Sequence, residues 1–168
     1  MGKSLEDRIV EKLFSGVNFL LSKWIKPDMK VDKVGAVDKD AIRRLKSEFG
    51  IKGIILDIDE TLRSDMKSIP KVNEEWINMI KDELKVIVVS NGIDKNVEEF
   101  FRLKGIDYIG FAHKPLKANF RKAARKIGLE PEEILVVGDD IFSDIYGGRR
   151  NKMKTMLVKS VESDEREL

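Results

Sequence analysis

The chain has 168 residues, enough for one domain with a substantial core, and its 32 lysines and arginines against 30 aspartates and glutamates leave a net charge of only +2. That balance gives no sign of a nucleic-acid partner, and the absence of cysteine excludes disulfides, thiolate metal sites and cysteine nucleophiles. No apolar run approaches the roughly 20 residues needed to span a bilayer, and the first apolar residues alternate with Glu6, Asp7, Arg8, Glu11 and Lys12 instead of forming a leader. The expected location is cytoplasmic.

Residues 4–26 read as one amphipathic helix, because Leu5, Ile9, Leu13, Val17, Leu20 and Trp24 recur at three- and four-residue intervals. Ser4 followed by Asp7 resembles a capping box, and Pro27 ends the segment. This divides the chain into a leading helix, 1–26, and a main domain, 27–168. The helix has two readings: packing on the domain's own core or on a second copy in a homo-oligomer, or lying at the inner face of a membrane with Phe14, Phe19, Leu20, Leu21, Trp24 and Ile25 dipping in.

After an irregular stretch from Pro27 to Asp38, helical spacing returns at Ile42, Leu45 and Phe49 and stops at Gly50. Strands are expected over Lys52–Asp57, Leu84–Ser90, Tyr108–Ala112, Glu133–Gly138 and Thr155–Lys159. Helices are expected between them, over Pro70–Glu83, Asp94–Lys104, Pro115–Ile127 and Phe142–Asn151. The strands are apolar on both faces, as a buried parallel sheet requires. The fold class is therefore α/β, a doubly wound, Rossmann-like, five-stranded and mainly parallel sheet.

Ligands of such sheets sit beyond the carboxyl ends of the strands, and the polar clusters of this chain fall there. Asp57 and Asp59 follow the first strand, Ser90 and Asn91 the second, Lys114 the third, and Asp139, Asp140 and Asp144 the fourth. If the first strand continued, Asp57 and Asp59 would share a face, and two crowded carboxylates call for a cation or a shared proton. Magnesium suits such hard oxygen ligands.

These segments, Asp57-Ile58-Asp59-Glu60-Thr61-Leu62, Ser90-Asn91-Gly92, His113-Lys114-Pro115 and Gly138-Asp139-Asp140-Ile141-Phe142-Ser143-Asp144, resemble the four ordered motifs of the haloacid dehalogenase-like (HAD) hydrolases, mostly phosphatases. The resemblance implies Asp57 as nucleophile and Asp59 as general acid and base. It gives Ser90 and Asn91 a place at the phosphoryl oxygens, and Lys114 the neutralisation of nucleophile and phosphate. The implied magnesium set is Asp57, Asp59 through its backbone carbonyl, Asp139, and Asp144 or Asp140. The surrounding Trp24-Ile25-Lys26-Pro27-Asp28, Gly50-Ile51-Lys52-Gly53-Ile54, His113-Lys114-Pro115-Leu116-Lys117 and Asp144-Ile145-Tyr146-Gly147-Gly148-Arg149 are similar to the YqeG-like type IIIA branch, which includes phosphatidylglycerophosphate phosphatases. Glu60 stands where that branch is expected to have Asn, and Asp140 where Gln is common.

The chemistry also follows from the residue types. A carboxylate can take up a phosphoryl group and divide one hard hydrolysis into two displacements, with a lysine and a metal offsetting charge and a second carboxyl moving the proton. His113, the only histidine, reads as a packing or hydrogen-bonding residue; Arg63 follows the first motif closely enough to touch a substrate. Lys117 competes with Lys114, which adjoins Pro115 at the mouth between strand and helix. Lys117, Arg121, Lys122, Arg125 and Lys126 form a solvated face or one attracted to anionic lipid; without interleaved aromatics, nucleic acid is not expected. Neither long connection holds a lid domain, so the site should be capless and open. The expected activity is a magnesium-dependent phosphatase, with phosphatidylglycerophosphate as leading substrate and a phosphoprotein, nucleotide or sugar phosphate as alternatives. The alternative of another class is a non-catalytic module that docks on a membrane or partner.

Overall fold

Strand and helix alternate along the chain in the computed structural model, which describes residues 5–64, 67–159 and 161. The elements are α1 (Leu5–Ser22), β1 (Met29–Val31), α2 (Lys39–Phe49), β2 (Gly53–Leu56), α3 (Lys71–Glu83), β3 (Lys85–Val89), α4 (Lys95–Leu103), β4 (Asp107–Ile109), α5 (Lys117–Ile127), β5 (Ile134–Gly138), α6 (Gly147–Arg150) and β6 (Lys154–Val158). Every strand pair is parallel, in the order β1-β6-β5-β2-β3-β4. From β2 the chain winds outward to β4 and then returns to β5 on the other side. The strand order therefore reverses between β2 and β5, where a crevice forms beyond their carboxyl ends.

Strand alternation divides the core into two layers. Ile54 and Leu56 of β2, with Leu135 and Val137 of β5, pack among Ile42, Leu45, Ile77, Ile80 and Phe101 of the helices on one face. Ile55, Ile134 and Val136 face the other way, against Phe120, Ala123 and Ala124 of α5. Local chemistry sets the helix ends: Asp38 Oδ1 accepts from Ala41 N at 2.8 Å to open α2, and Gly50, in the left-handed region at φ 67°, closes it.

The sheet has six strands rather than five. Met29–Val31 falls in the stretch expected to be irregular, and three residues are too few to show a period. Its pairing with β6 is secured from a distance, where Asp28 Oδ2 accepts from Thr155 N at 2.9 Å and from its hydroxyl at 3.0 Å. The strand expected over Tyr108–Ala112 ends at Ile109, because the chain then turns through Phe111 and His113, both at positive φ. The helix expected from Pro115 begins at Lys117, and that expected over Phe142–Asn151 is a wide π-type turn, Ile141–Tyr146, followed by α6.

Helix α1 ends at Ser22, before Pro27, and the Ser4 of its expected cap lies outside the described residues. Packing on the domain's own core does not hold for the described part of its stripe. Leu5, Ile9, Leu13, Val17 and Leu20 are exposed, and Trp24 is 85% exposed. The helix instead passes the Ile141–Tyr146 turn, and beyond it Arg149 Nη1 donates to the Lys26 carbonyl at 3.0 Å.

Helix α6 lies close enough to the sheet to require glycine. A Cβ on Gly148 would stand 2.8 Å from Thr155 Cγ2 and 2.9 Å from Val136 Cγ2. Gly148→Ala is expected to cost about 1–3 kcal/mol, as overpacking does, and to lower the urea midpoint. Gly16→Ala on α1, with nothing within 4 Å, serves as the neutral or stabilising reference.

Candidate active site

The end of β2 sets the geometry. Asp57 N donates to Val137 O at 3.0 Å and so stays in the ladder with β5. The chain then leaves the strand: the Ile58 carbonyl accepts from the amides of Thr61 (3.1 Å), Leu62 (2.7 Å) and Arg63 (3.3 Å), and Glu60 takes φ 60°. Because the strand does not continue, the alternation that would set Asp57 and Asp59 side by side on one face does not apply. Their carboxylates go to different partners.

Asp57 is buried. Its Oδ1 accepts from Lys114 Nζ at 2.7 Å and its Oδ2 from the Thr61 hydroxyl at 3.0 Å. Lys114 Nζ also donates to Asp144 Oδ1 at 2.6 Å, and Lys114 and Asp144 are both buried. The Thr61 hydroxyl lies 3.4 Å from Asp139 Oδ1. Asp57, Asp139 and Asp144 each place a carboxylate oxygen within 4.8 Å of the others. The crowding is thus among three carboxylates from two strand ends and a turn, with one ammonium between them. Gly138 makes room for it, since a Cβ there would lie 2.2 Å from Asp144 Oδ2.

The electrostatics follow. Burial works against the Lys114 charge, but Asp144 and Asp57 outweigh it and hold the ammonium above its ordinary range. Burial, reinforced by the charges of Asp57, Asp144 and Asp140, pushes the Asp139 carboxyl up to about 9. Burial and then Asp57 push Asp144 up to about 7, with Lys114 opposing. Three carboxylates of hard oxygen character and an uncompensated negative charge fit a divalent cation such as magnesium.

The other expected residues divide into those near this cluster and those with a different task. The Asp59 carboxylate lies outside the three-carboxylate group, and its Oδ1 accepts from Arg63 Nε at 2.8 Å. Asp140 starts the π-type turn, its Oδ1 accepting from Ser143 N at 2.6 Å, so Asp144 is the one of the two that joins the cluster. Ser90 is buried at the end of β3, its Oγ accepting from Gly92 N at 3.2 Å. The Asn91 carboxamide oxygen accepts from Lys114 N at 2.7 Å and so ties the second loop to the third. His113 is exposed, Lys117 is half-buried, and Arg121, Lys122, Arg125 and Lys126 of α5 face solvent.

Sequence reasoning gave no role to Thr61, although a hydroxyl four residues after Asp57 was the available signal. It also missed the burial of Arg63, which forms ion pairs with Asp59 and Asp94. A cleft of about 690 Å³ lies at the opposite end of the strands, lined by Lys52, Lys81, Lys85, Lys104 and Lys126 among others. There Lys85 Nζ donates to Ile127 O at 2.9 Å and Lys81 Nζ to Lys104 O at 3.3 Å, so these lysines satisfy helix C-termini.

A parallel sheet with carboxylates gathered at its switch point, no cap among the described residues, and a lysine bridging two of the carboxylates defines a HAD-like hydrolase. A HAD-hydrolase-like family model matches residues 111–168. The probable phosphatase YqeG of Bacillus subtilis is 33% identical over 148 residues, spanning 87% of this chain and 84% of that protein. The glyceraldehyde 3-phosphate phosphatase of Pyrococcus furiosus is 27% identical over 132 residues, which cover 70% of this chain and 54% of that protein. Among solved structures, an uncharacterized protein from Corynebacterium glutamicum superposes with TM-score 0.55 at 18% identity, covering 66% of this chain and 87% of that one. The 2-haloacid dehalogenase of Pseudomonas syringae does so with TM-score 0.51 at 13% identity, covering 70% and 91%. The chain belongs to the YqeG-like family of HAD phosphatases.

The raised carboxyls predict a linkage between pH and metal. Between an unfolded value of about 3.9 and the folded values of about 7 and about 9, the native metal-free protein holds more protons than the unfolded chain. Its stability therefore falls as pH rises through that window. A cation replaces those protons, so magnesium should raise the Tm more at pH 8.5 than at pH 6. Thermal denaturation in chelator with and without magnesium checks both signs.

Proposed function

We propose that this protein is a magnesium-dependent phosphomonoesterase that works through a phosphorylated Asp57, with phosphatidylglycerophosphate as its leading substrate. The observation that carries the chemistry is the position of Lys114 Nζ between Asp57 and Asp144, at 2.7 and 2.6 Å. Asp57, Asp139 and Asp144 would hold the magnesium, with Asp59 contributing its backbone carbonyl, and the ion would supply charge neutralisation for the phosphoryl oxygens. Lys114 holds Asp57 in place and offsets charge on the phosphate, while Ser90 and Asn91 line the phosphoryl oxygens.

In the first step an Asp57 carboxylate oxygen forms a bond to phosphorus as the ester oxygen leaves, and Asp59 gives that oxygen its proton. In the second, Asp59 takes a proton from water, the water oxygen attacks phosphorus, and the bond to Asp57 breaks. Inorganic phosphate leaves and both carboxyls return to their starting states.

Two features support a lipid-borne ester. The crevice is open, and the loops around it expose Ile93, Phe111 and Leu116, an apolar rim unlike the surroundings of a site for small, fully polar phosphates. The exposed stripe of α1 lies by the same turn that carries Asp144. Exposed Lys23, Lys26, Arg149, Arg150 and Lys152 follow it, a combination suited to anionic lipid. No helix among the described residues is long and apolar enough to cross a membrane, so the contact would be peripheral. The second reading is a small sugar phosphate, favoured by the Pyrococcus relative, whose name specifies glyceraldehyde 3-phosphate.

Phosphate release with magnesium is expected to be fastest from phosphatidylglycerophosphate in vesicles. Faster release from glyceraldehyde 3-phosphate, a nucleotide or a phosphopeptide would select that alternative. Asp57→Asn should reduce turnover to background and Lys114→Met should lower kcat by about 10²–10³-fold. Equal background rates for wild type and Asp57→Asn would mean a docking module. Deleting residues 1–26 should abolish sedimentation with anionic liposomes and leave cleavage of a soluble aryl phosphate intact.

A further inference from the structure

We propose that Arg63 is the positioning residue for Asp59, a clamp that fixes which way the proton-carrying carboxyl faces. The inference rests on the reading of Asp59 as general acid and base. Arg63 is only 3% exposed, and a buried guanidinium persists only with partners that meet its donors. It has three. Nε donates to Asp59 Oδ1 at 2.8 Å, and Nη1 donates to Asp94 Oδ2 at 2.8 Å and to the Lys67 carbonyl at 3.2 Å. Burial works against its charge, yet the bonds to Asp94 and Asp59 hold it above its ordinary range.

Each end of this clamp is fixed independently. On one side, Glu60 N donates to Arg63 O at 2.8 Å, closing the backbone around the turn that presents Asp59. On the other, Asp94 is the N-cap of α4, its Oδ1 accepting from Asn96 N at 3.0 Å and Val97 N at 3.3 Å. Its second oxygen is thereby aimed at Arg63. The start of a helix packed on the sheet is connected through one guanidinium to the Asp59 carboxylate.

The orientation has a chemical consequence. With Oδ1 held by Arg63, Oδ2 faces the Ser90–Gly92 turn, where a methyl placed on Gly92 would lie 4.0 Å from Asp59 Oδ2 and 3.9 Å from Ser90 Oγ. Asp59 Oδ2 and the Ser90 hydroxyl therefore border the same space. Without Arg63 the side chain at 59 is free to rotate out of that space. Loss of aim should affect the leaving-group proton more than phosphate binding.

The test compares an ester that needs its leaving oxygen protonated, glycerol 1-phosphate, with one that does not, 4-nitrophenyl phosphate. Arg63→Gln is expected to lower kcat on the alkyl ester about 10–100-fold, the scale of a misplaced catalytic group. Its effect on the aryl ester should stay within about threefold, with little change in KM, since proton transfer is needed mainly by poor leaving groups. Arg63→Lys should recover part of the alkyl rate. Asp94→Asn keeps a side-chain cap for α4 while weakening the anchor, and should give the same selective pattern at smaller size, which covers the case in which Arg63→Gln does not fold. Equal losses on both esters, or no loss, in the folded Arg63 and Asp94 variants would overturn the clamp. Asp59→Asn is the control: selective loss there with unselective loss at Arg63 rejects the clamp alone, whereas unselective loss at Asp59 rejects the role of Asp59 and the clamp with it.

Discussion

One ammonium shared between two buried carboxylates governs the architecture of this site. Lys114 meets Asp57 from β2 and Asp144 from the turn after β5, so it joins the two halves of the sheet at the point where their winding reverses. Taking three charges out of water is costly, and such a group persists only when each charge is met. The fold supplies what that requires: Thr61 for the second oxygen of Asp57, Asn91 for the backbone of Lys114, and a glycine at 138 over which the Asp144 side chain passes. A third carboxylate, Asp139, is left without an equal cation. That surplus suits the cluster to a divalent ion.

Much of this was legible in the sequence because parallel sheets impose a simple rule. Apolar runs buried on both faces mark the strands, and polar residues at their carboxyl ends mark the crevice. Asp57, Ser90, Lys114 and Asp139 could be placed at the crevice from position alone, whereas position left Asp140 and Asp144 as alternatives. The direction of a side chain after the strand ends is another matter. Alternation would have put Asp57 and Asp59 together, but three amides converging on the Ile58 carbonyl turn the chain, and the two carboxylates take different partners. The partners of Asp59 were illegible for the same reason: Arg63 and Asp94 are 31 residues apart and meet only through that turn and the cap of α4. β1 was hidden because its pairing depends on Asp28 and Thr155, 127 residues apart, rather than on any pattern within it.

The two carboxyls of the first motif thus work in different electrostatic settings although one residue separates them. Asp57 belongs to a dry network of lysine and acid; Asp59, itself partly exposed, is bridged to a buried arginine. On the proposed reading, that difference of environment separates a nucleophile from a proton carrier in the same crevice. On the same reading, the open crevice keeps its acid aligned from its floor, through Arg63.

The added strand β1 has an effect on how copies of the molecule meet. Both borders of the sheet, β1 and β4, are only three residues long, so each offers a stranger's backbone few hydrogen bonds, and short borders of this kind discourage edge-to-edge aggregation. The long apolar surface that the molecule does present is helical, on α1, whose backbone is already satisfied within itself. Stickiness has been moved from the sheet, where contact would propagate as fibres, to a helix, where it can remain finite.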